Sequence, residues 1–247
     1  MANRNQLFSK YYSTHLGAFN SQPNPINTEY FEDALGQILP PAGSSKKILE
    51  IGVGGGHFAF FAVNSKKFQN YFGIDISQEC IEIVRATITP NIQLVSNTVD
   101  WLKSAAGQFD YIVLLDVVEH IPKAEQYEFL ESIRSALSRE GVAIIRTENT
   151  AIYSGYLQHT LDYTHEYNFS EKSLEQLLKL TGFSKIHLFG DPAPRQTGVK
   201  SFLRLILTKL WRFIQNVILE IERPHCLKPK ILTKNIYAVV TNGPQSA

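Results

Sequence analysis

Ile48-Leu49-Glu50-Ile51-Gly52-Val53-Gly54-Gly55-Gly56-His57-Phe58 runs from an apolar stretch carrying one acid, through glycine-rich backbone, into the aromatic start of a helical pattern. A β-strand ending in such a turn and followed by a helix lets backbone adopt positive φ and lets a ligand lie against main chain with no Cβ in the way. The stretch therefore predicts a nucleotide-like ligand at a strand-to-helix turn. A dinucleotide fingerprint, G-x-G-x-x-G, would need a small residue where His57 stands. Glu50 would moreover repel a pyrophosphate.

On both sides of this turn, short apolar runs alternate with helical patterns, the signature of βαβ units and a mainly parallel sheet. Strands are expected over 47–51, 71–74, 92–95, 111–115, 142–146, 185–189 and 235–240, and helices over 58–64, 78–87, 123–138 and 171–181. The strands are rich in Ile, Val and Leu, as fits a sheet covered on both faces. Ser77 and Ser170 stand where helices should begin, Gly141 and Gly182 where they should stop. Residues 1–45, with one helical pattern over 28–39, read as a helical cap ahead of a main domain over 46–247. Asp191-Pro192-Ala193-Pro194 breaks the chain before a helical insertion at about 195–230.

The 247 residues are 44% hydrophobic and 19% charged, and 24 basic side chains face 23 acidic ones, a globular composition. The near-zero net charge conceals an uneven distribution, which suggests a locally anionic partner more than general nucleic-acid binding. Nine basic residues against two acidic ones over 195–234 give that segment a charge of +7 and leave −6 on the remainder. Cys80 and Cys226 match neither a disulfide framework nor a metal spacing, which points to a reducing compartment. The polar stretch 1–10 lacks the apolar core of a leader, and no window suits a bilayer span, so the cytoplasm is the expected location.

The pattern Glu50-x-Gly52-x-Gly54-x-Gly56 resembles motif I of class I S-adenosylmethionine-dependent methyltransferases, and Phe109-Asp110-Tyr111-Ile112-Val113 followed by Asp116-Val117-Val118-Glu119-His120-Ile121 resembles their fourth-strand motif. The resemblance covers roughly 46–189. It implies a Rossmann-like, doubly wound, seven-stranded sheet, mostly parallel with an antiparallel last strand. It also implies S-adenosyl-L-methionine as cofactor, held by Glu50, Gly52, Gly54 and Gly56. Asp75, 23 positions after Gly52, would grip the ribose beside Ile76; Asn97 and Thr98 would meet the adenine, and Asp116 and Val117 the methionine portion.

The segment 159–170 falls between a strand and a helix and is dense in groups able to take a proton: His159, Asp162, Tyr163, His165, Glu166 and Tyr167. Asp162-x-Thr164-His165-x-x-x-Phe169-Ser170 resembles methyltransferases of bacterial surface-polysaccharide biosynthesis, which act on sugar hydroxyls. A hydroxyl is a poor nucleophile, so His165 is expected as general base with Asp162 orienting it; alternatively the two merely fix the loop. His120 is the third expected catalytic residue. The Asp116, Glu119, His120 spacing also resembles the metal set of quinone-biosynthesis O-methyltransferases, but Glu119–His120 is expected as a site-forming pair without metal. His15, His57, His187 and His225 are expected at packing or surface positions. The acceptor is expected to be a sugar hydroxyl of a glycan or glycolipid; a quinone or other small lipophilic molecule is the alternative, and an idle cofactor binder the alternative from another class.

Over 199–221, Phe202, Leu203, Ile206, Leu207, Leu210, Phe213, Ile214 and Val217 share one helical face, and Lys200, Arg204, Thr208, Arg212 and Gln215 another. Packing on the sheet or homodimerisation is expected ahead of peripheral membrane contact, though all three suit the pattern.

Overall fold

Apolar residues alternate in and out of strand register to give two cores, one on each face of a sheet. In the computed structural model, which describes residues 4–19, 23, 25–193, 195, 198–222 and 228–242, the chain order is α1 (Arg4–Phe8), α2 (Tyr11–Thr14), α3 (Pro25–Leu35), β1 (Ser44–Ile51), α4 (His57–Asn64), β2 (Phe68–Asp75), α5 (Gln78–Thr87), β3 (Ile92–Leu94), α6 (Thr98–Ser104), β4 (Phe109–Leu115), α7 (Gln126–Ala136), β5 (Leu137–Glu148), α8 (Gly155–Thr160), α9 (Glu171–Leu180), β6 (Ser184–Gly190), α10 (Val199–Glu222) and β7 (Asn235–Thr241). Cys226 and His225 lie outside the described residues.

The seven strands form one sheet in the order β3-β2-β1-β4-β5-β7-β6. Pairings from β3 to β5 are parallel, with Leu49 opposite Phe72 and Ile112, while β7 runs antiparallel to both β5 and β6. This is the Rossmann-like arrangement with an antiparallel last strand. One face buries Leu49, Ile51, Ile112, Leu114 and Ile145. The other buries Ile48, Val113, Ile144 and Tyr237 under α3, α4 and α5. The strand order reverses between β1 and β4, and open α/β sheets bind ligands outside the strand carboxyl ends at such a point.

α3 is part of that second core: Phe31 and Leu35 are buried, and the Phe31 ring meets Phe58 edge-on at 5.5 Å. It starts three residues earlier than the periodicity predicts and stops before Gly36. The helix expected over 123–138 is shorter at both ends, because Leu137 already pairs with Phe109 as β5 begins. α1, α2, α6 and α8 were not expected; each is seven residues or fewer, too short to display a 3.6-residue period.

Candidate active site

One cavity opens at the switch point between β1 and β4. Its floor is the β1–α4 turn: Glu50, Gly52 and Gly54 line it, with Asp75 and Ile76 from the end of β2, Thr98 from α6, and Asp116, Val117 and His120 from the segment after β4. Gly52 has φ 76°, and a Cβ there would stand 2.6 Å from Val117 Cγ2, so only glycine lets the two loops meet. Gly56 caps α4 at φ 79°, and its Cβ would strike Ile88, just past the end of α5, at 2.4 Å and Val84 of α5 at 2.9 Å. Gly56 thus serves helix packing and is not among the cavity-lining residues. Asn97 also stands back: its Oδ1 caps α6, accepting from Val99 and Asp100 N–H at 3.0 and 3.2 Å.

Three carboxylates set the electrostatics. Asp75 Oδ2 accepts from Gly54 N–H at 2.9 Å and Oδ1 from Ser77 N–H at 2.8 Å, which tethers the glycine turn to the end of β2. Burial raises its pKa against those two bonds. Glu50 is buried and accepts from the Tyr71 hydroxyl; burial pushes its pKa up to about 8. Asp116 sits in the left-handed region at φ 57° and forms a two-pronged ion pair with Arg146, whose Nε reaches Oδ1 at 3.0 Å. Left-handed backbone outside glycine stores strain of about 1–3 kcal/mol, usually at functional positions. Arg146 itself lines the cavity. Its signal in the sequence was a charge ending the apolar run of β5.

The acceptor-side loop enters differently from the expected His165–Asp162 pair. Asp162 Oδ1 accepts from Thr164 Oγ1 at 2.7 Å and Thr164 N–H at 2.8 Å, and Oδ2 from the Tyr11 hydroxyl at 2.6 Å. Its carboxylate oxygens are taken by these donors, and what joins it to His165 is a backbone bond, from His165 N–H to the Asp162 carbonyl at 3.3 Å. His165 Nδ1 meets the His159 carbonyl at 3.0 Å and lies 3.6 Å from Glu148 Oε2. Asp162 instead reaches His120: the Thr164 hydroxyl that donates to Asp162 lies 3.0 Å from His120 Nδ1, and the Thr164 carbonyl 3.2 Å. A carbonyl only accepts, so His120 carries its proton on Nδ1 and presents Nε2 as a lone pair. Burial lowers the pKa of His120 to about 4, so it is neutral at physiological pH. Against the raising effect of burial, bonds from Tyr11 and Thr164 hold Asp162 below the usual carboxylate range.

His120, Asp162 and His165 offer ligand atoms within 4.8 Å of one another, the one metal-compatible cluster among the described residues. The Asp116, Glu119, His120 set does not assemble this way. Asp116 is held by Arg146, and Glu119 is buried, its carboxyl pushed well above the usual range by burial and by Asp116.

The amino-terminal segment roofs the site. Phe8, Tyr11 and Leu16 line the cavity, and Ser13 bonds Glu79 of α5 through N–H at 3.0 Å and Oγ at 2.9 Å. His15 and His57, expected away from the site, are both at it: His15 Nε2 lies 3.2 Å from Asp162 Oδ2, and His57 lines the cavity. His187 stacks on Phe189 in β6.

A glycine turn, an acid at the end of β2 and a neutral imidazole thus share one cavity at a Rossmann-type switch point, an arrangement of an enzyme that handles a nucleoside-bearing group donor. The profile of a family described as "Methyltransferase domain" matches residues 26–188, and the chain belongs to that family. An uncharacterised Rickettsia prowazekii protein is 29% identical over 181 residues, covering 69% of this chain and 71% of its own length. The mitochondrial ubiquinone biosynthesis O-methyltransferase of Saccharomyces cerevisiae is 26% identical over 113 residues, 44% of this chain and 36% of that protein. Among solved structures, a SAM-dependent methyltransferase from Archaeoglobus fulgidus superposes with a TM-score of 0.62 at 18% identity, covering 87% of this chain and 94% of that one. Haemonchus contortus phosphoethanolamine N-methyltransferase 2, solved with phosphomonomethylethanolamine and S-adenosylhomocysteine, gives 0.60 at 16% identity, covering 99% of this chain and 61% of that one.

Proposed function

We propose that this methyltransferase uses S-adenosylmethionine to methylate a hydroxyl, with His120 as the base that receives the hydroxyl proton. The observation that carries the reading is that His120 and the glycine turn line the same cavity. The turn suits the cofactor: Gly52 and Gly54 line the cavity with bare main chain, Asp75 is placed for ribose hydroxyls, and Glu50 for a cationic amino-acid end. When bound, the sulfonium supplies an electrophilic methyl group. The chain's own residues position and deprotonate. Asp162 orients His120 through Thr164, Nε2 takes the proton as the acceptor oxygen loses it, and Phe8, Tyr11 and Leu16 exclude water from above. His165 flanks His120, ring centroids 4.7 Å apart, and is placed to hold the acceptor.

For the acceptor, the polar loop 159–170 supports a sugar hydroxyl of a glycan or glycolipid. The apolar roof and the yeast relative support a lipophilic, quinone-like phenol as second reading. Calorimetry with S-adenosylmethionine and S-adenosylhomocysteine tests the cofactor, and turnover on glycolipid and phenolic panels tests the acceptor. His120→Gln is expected to lower kcat by about 10²–10⁴-fold while leaving cofactor affinity within about twofold. Thr164→Val should lower kcat less and shift the acidic limb of its pH profile. Full turnover in His120→Gln overturns the base assignment, and cofactor binding without turnover on any acceptor leaves a binder in place of an enzyme.

A further inference from the structure

α10 is mounted with its apolar face outward. Gln215 is buried, and its Oε1 accepts from Tyr153 N–H at 3.4 Å; Arg212 and Asn216 share a crevice with Asp191 and Thr233. The polar side of the helix therefore meets the body. The apolar row from Phe202 to Ile221 points away from it, its members between 38% (Ile214) and 74% (Ile221) exposed. An uncovered face of this size on a helix of 24 residues, about 36 Å long, marks a docking surface. The expected packing of this face on the sheet is not what the structure shows.

The charges select the occupant. From Val199 to Leu219 the helix carries Lys200, Arg204, Lys209 and Arg212 and no acid. On a helical projection Lys209 flanks one edge of the apolar row, Lys200 and Arg204 the other. A second copy laid face to face would bring these basic edges together, whereas an anionic bilayer neutralises them while the apolar row sinks to the acyl boundary. The acids that follow are engaged, Glu220 with Lys228 and Glu222 with the Tyr153 hydroxyl at 3.3 Å. A groove lined by Lys200, Arg204 and Trp211 places two cations and an indole together, as a phosphate headgroup at interfacial depth requires. No helix among the described residues is long and apolar enough to cross a membrane, so α10 lies on the surface.

The same face continues toward the active site. The Tyr153 ring meets Trp211 edge-on at 6.3 Å, and beyond it the segment bearing Asp162 exposes Tyr156, Leu157, Leu161 and Tyr163. We propose that α10 and the 153–163 segment form one docking surface for an anionic lipid bilayer, which brings the mouth of the cavity to the membrane plane. This stands apart from the methyl-transfer reading, because membrane binding is measured without turnover.

The test is flotation of the purified chain with phosphatidylcholine vesicles, with and without phosphatidylglycerol, at low and high salt, beside sedimentation velocity of the protein alone. Wild type is expected to float with the anionic vesicles only, and less at high salt. Arg204→Glu with Lys209→Glu should weaken binding by about tenfold or more, and Ile206→Glu with Phe213→Glu should abolish it. Unchanged circular dichroism and cofactor binding show that the variants fold, as expected for side chains facing out. Absence of vesicle binding at low salt overturns the proposal, whether the protein sediments as a monomer or as a dimer dissolved by Phe213→Glu. Equal binding to neutral vesicles overturns the role given to charge.

Discussion

Glu50 joins the protonation state of the site to the stability of the fold. Its folded pKa of about 8 lies above the ordinary 4.5, so the folded chain holds a proton that the unfolded chain releases between those values. Its stabilising contribution is full below pH 4.5 and is lost as pH rises through 8. Glu50→Gln should flatten that part of a Tm-against-pH curve measured from pH 5 to 8.5, and an unchanged slope would assign it to other groups. A cationic ligand beside Glu50 favours the carboxylate, so cofactor binding at pH 7 should release a proton, read by calorimetry in buffers of differing ionisation heat and absent in Glu50→Gln. His120 titrates in the opposite sense: its pKa is lowered from 6.5 to about 4, so the folded state loses stability as pH falls through that window. At this scale the sequence disclosed residue types but not partners. Asp162 and His165 are three positions apart and looked paired, yet Thr164 intervenes and carries Asp162's influence to His120, 44 positions upstream. Contacts of that span leave no periodic trace.

Among the elements, the β1–α4 turn was readable because conformation and chemistry there both demand glycine. Gly56→Ala would strain a left-handed backbone and press into Ile88 and Val84, a change costing about 1–3 kcal/mol. We expect Tm to fall by about 2 °C or more, with Gly107→Ala, which meets nothing within 4 Å, as the control for backbone strain alone. Equal losses in both would remove the packing role given to Gly56. The long βα elements were legible for the same reason, since apolar period and capping residues agree over eight or more positions. α6 was missed although Asn97 and Asp100 form its capping contacts, because seven residues make too little pattern. α10 was legible as amphipathic and its orientation was not: periodicity reports that a face exists and is silent on which side meets the body.

For the molecule as a whole, the order of strands in space differs from their order along the chain. β7 follows β6 in the sequence and lies between β5 and β6 in the sheet, sealing Ile144 against Val239 and Phe189 against Tyr237. A chain ending at residue 234 would leave β5 and β6 with open edges and lose Tyr237, which is fully buried. Such a chain is expected in the insoluble fraction, and a soluble one that binds S-adenosylmethionine would mean that the first five strands suffice.

The insertion of β7 also sets a timetable. As the ribosome delivers the chain, β1 to β5 can assemble in turn, but β6 emerges with no strand to pair with and waits through α10 until β7 arrives to bridge it to β5. Until then the growing protein carries an unfinished seam, and the interval is longest across the very stretch whose greasy flank faces outward.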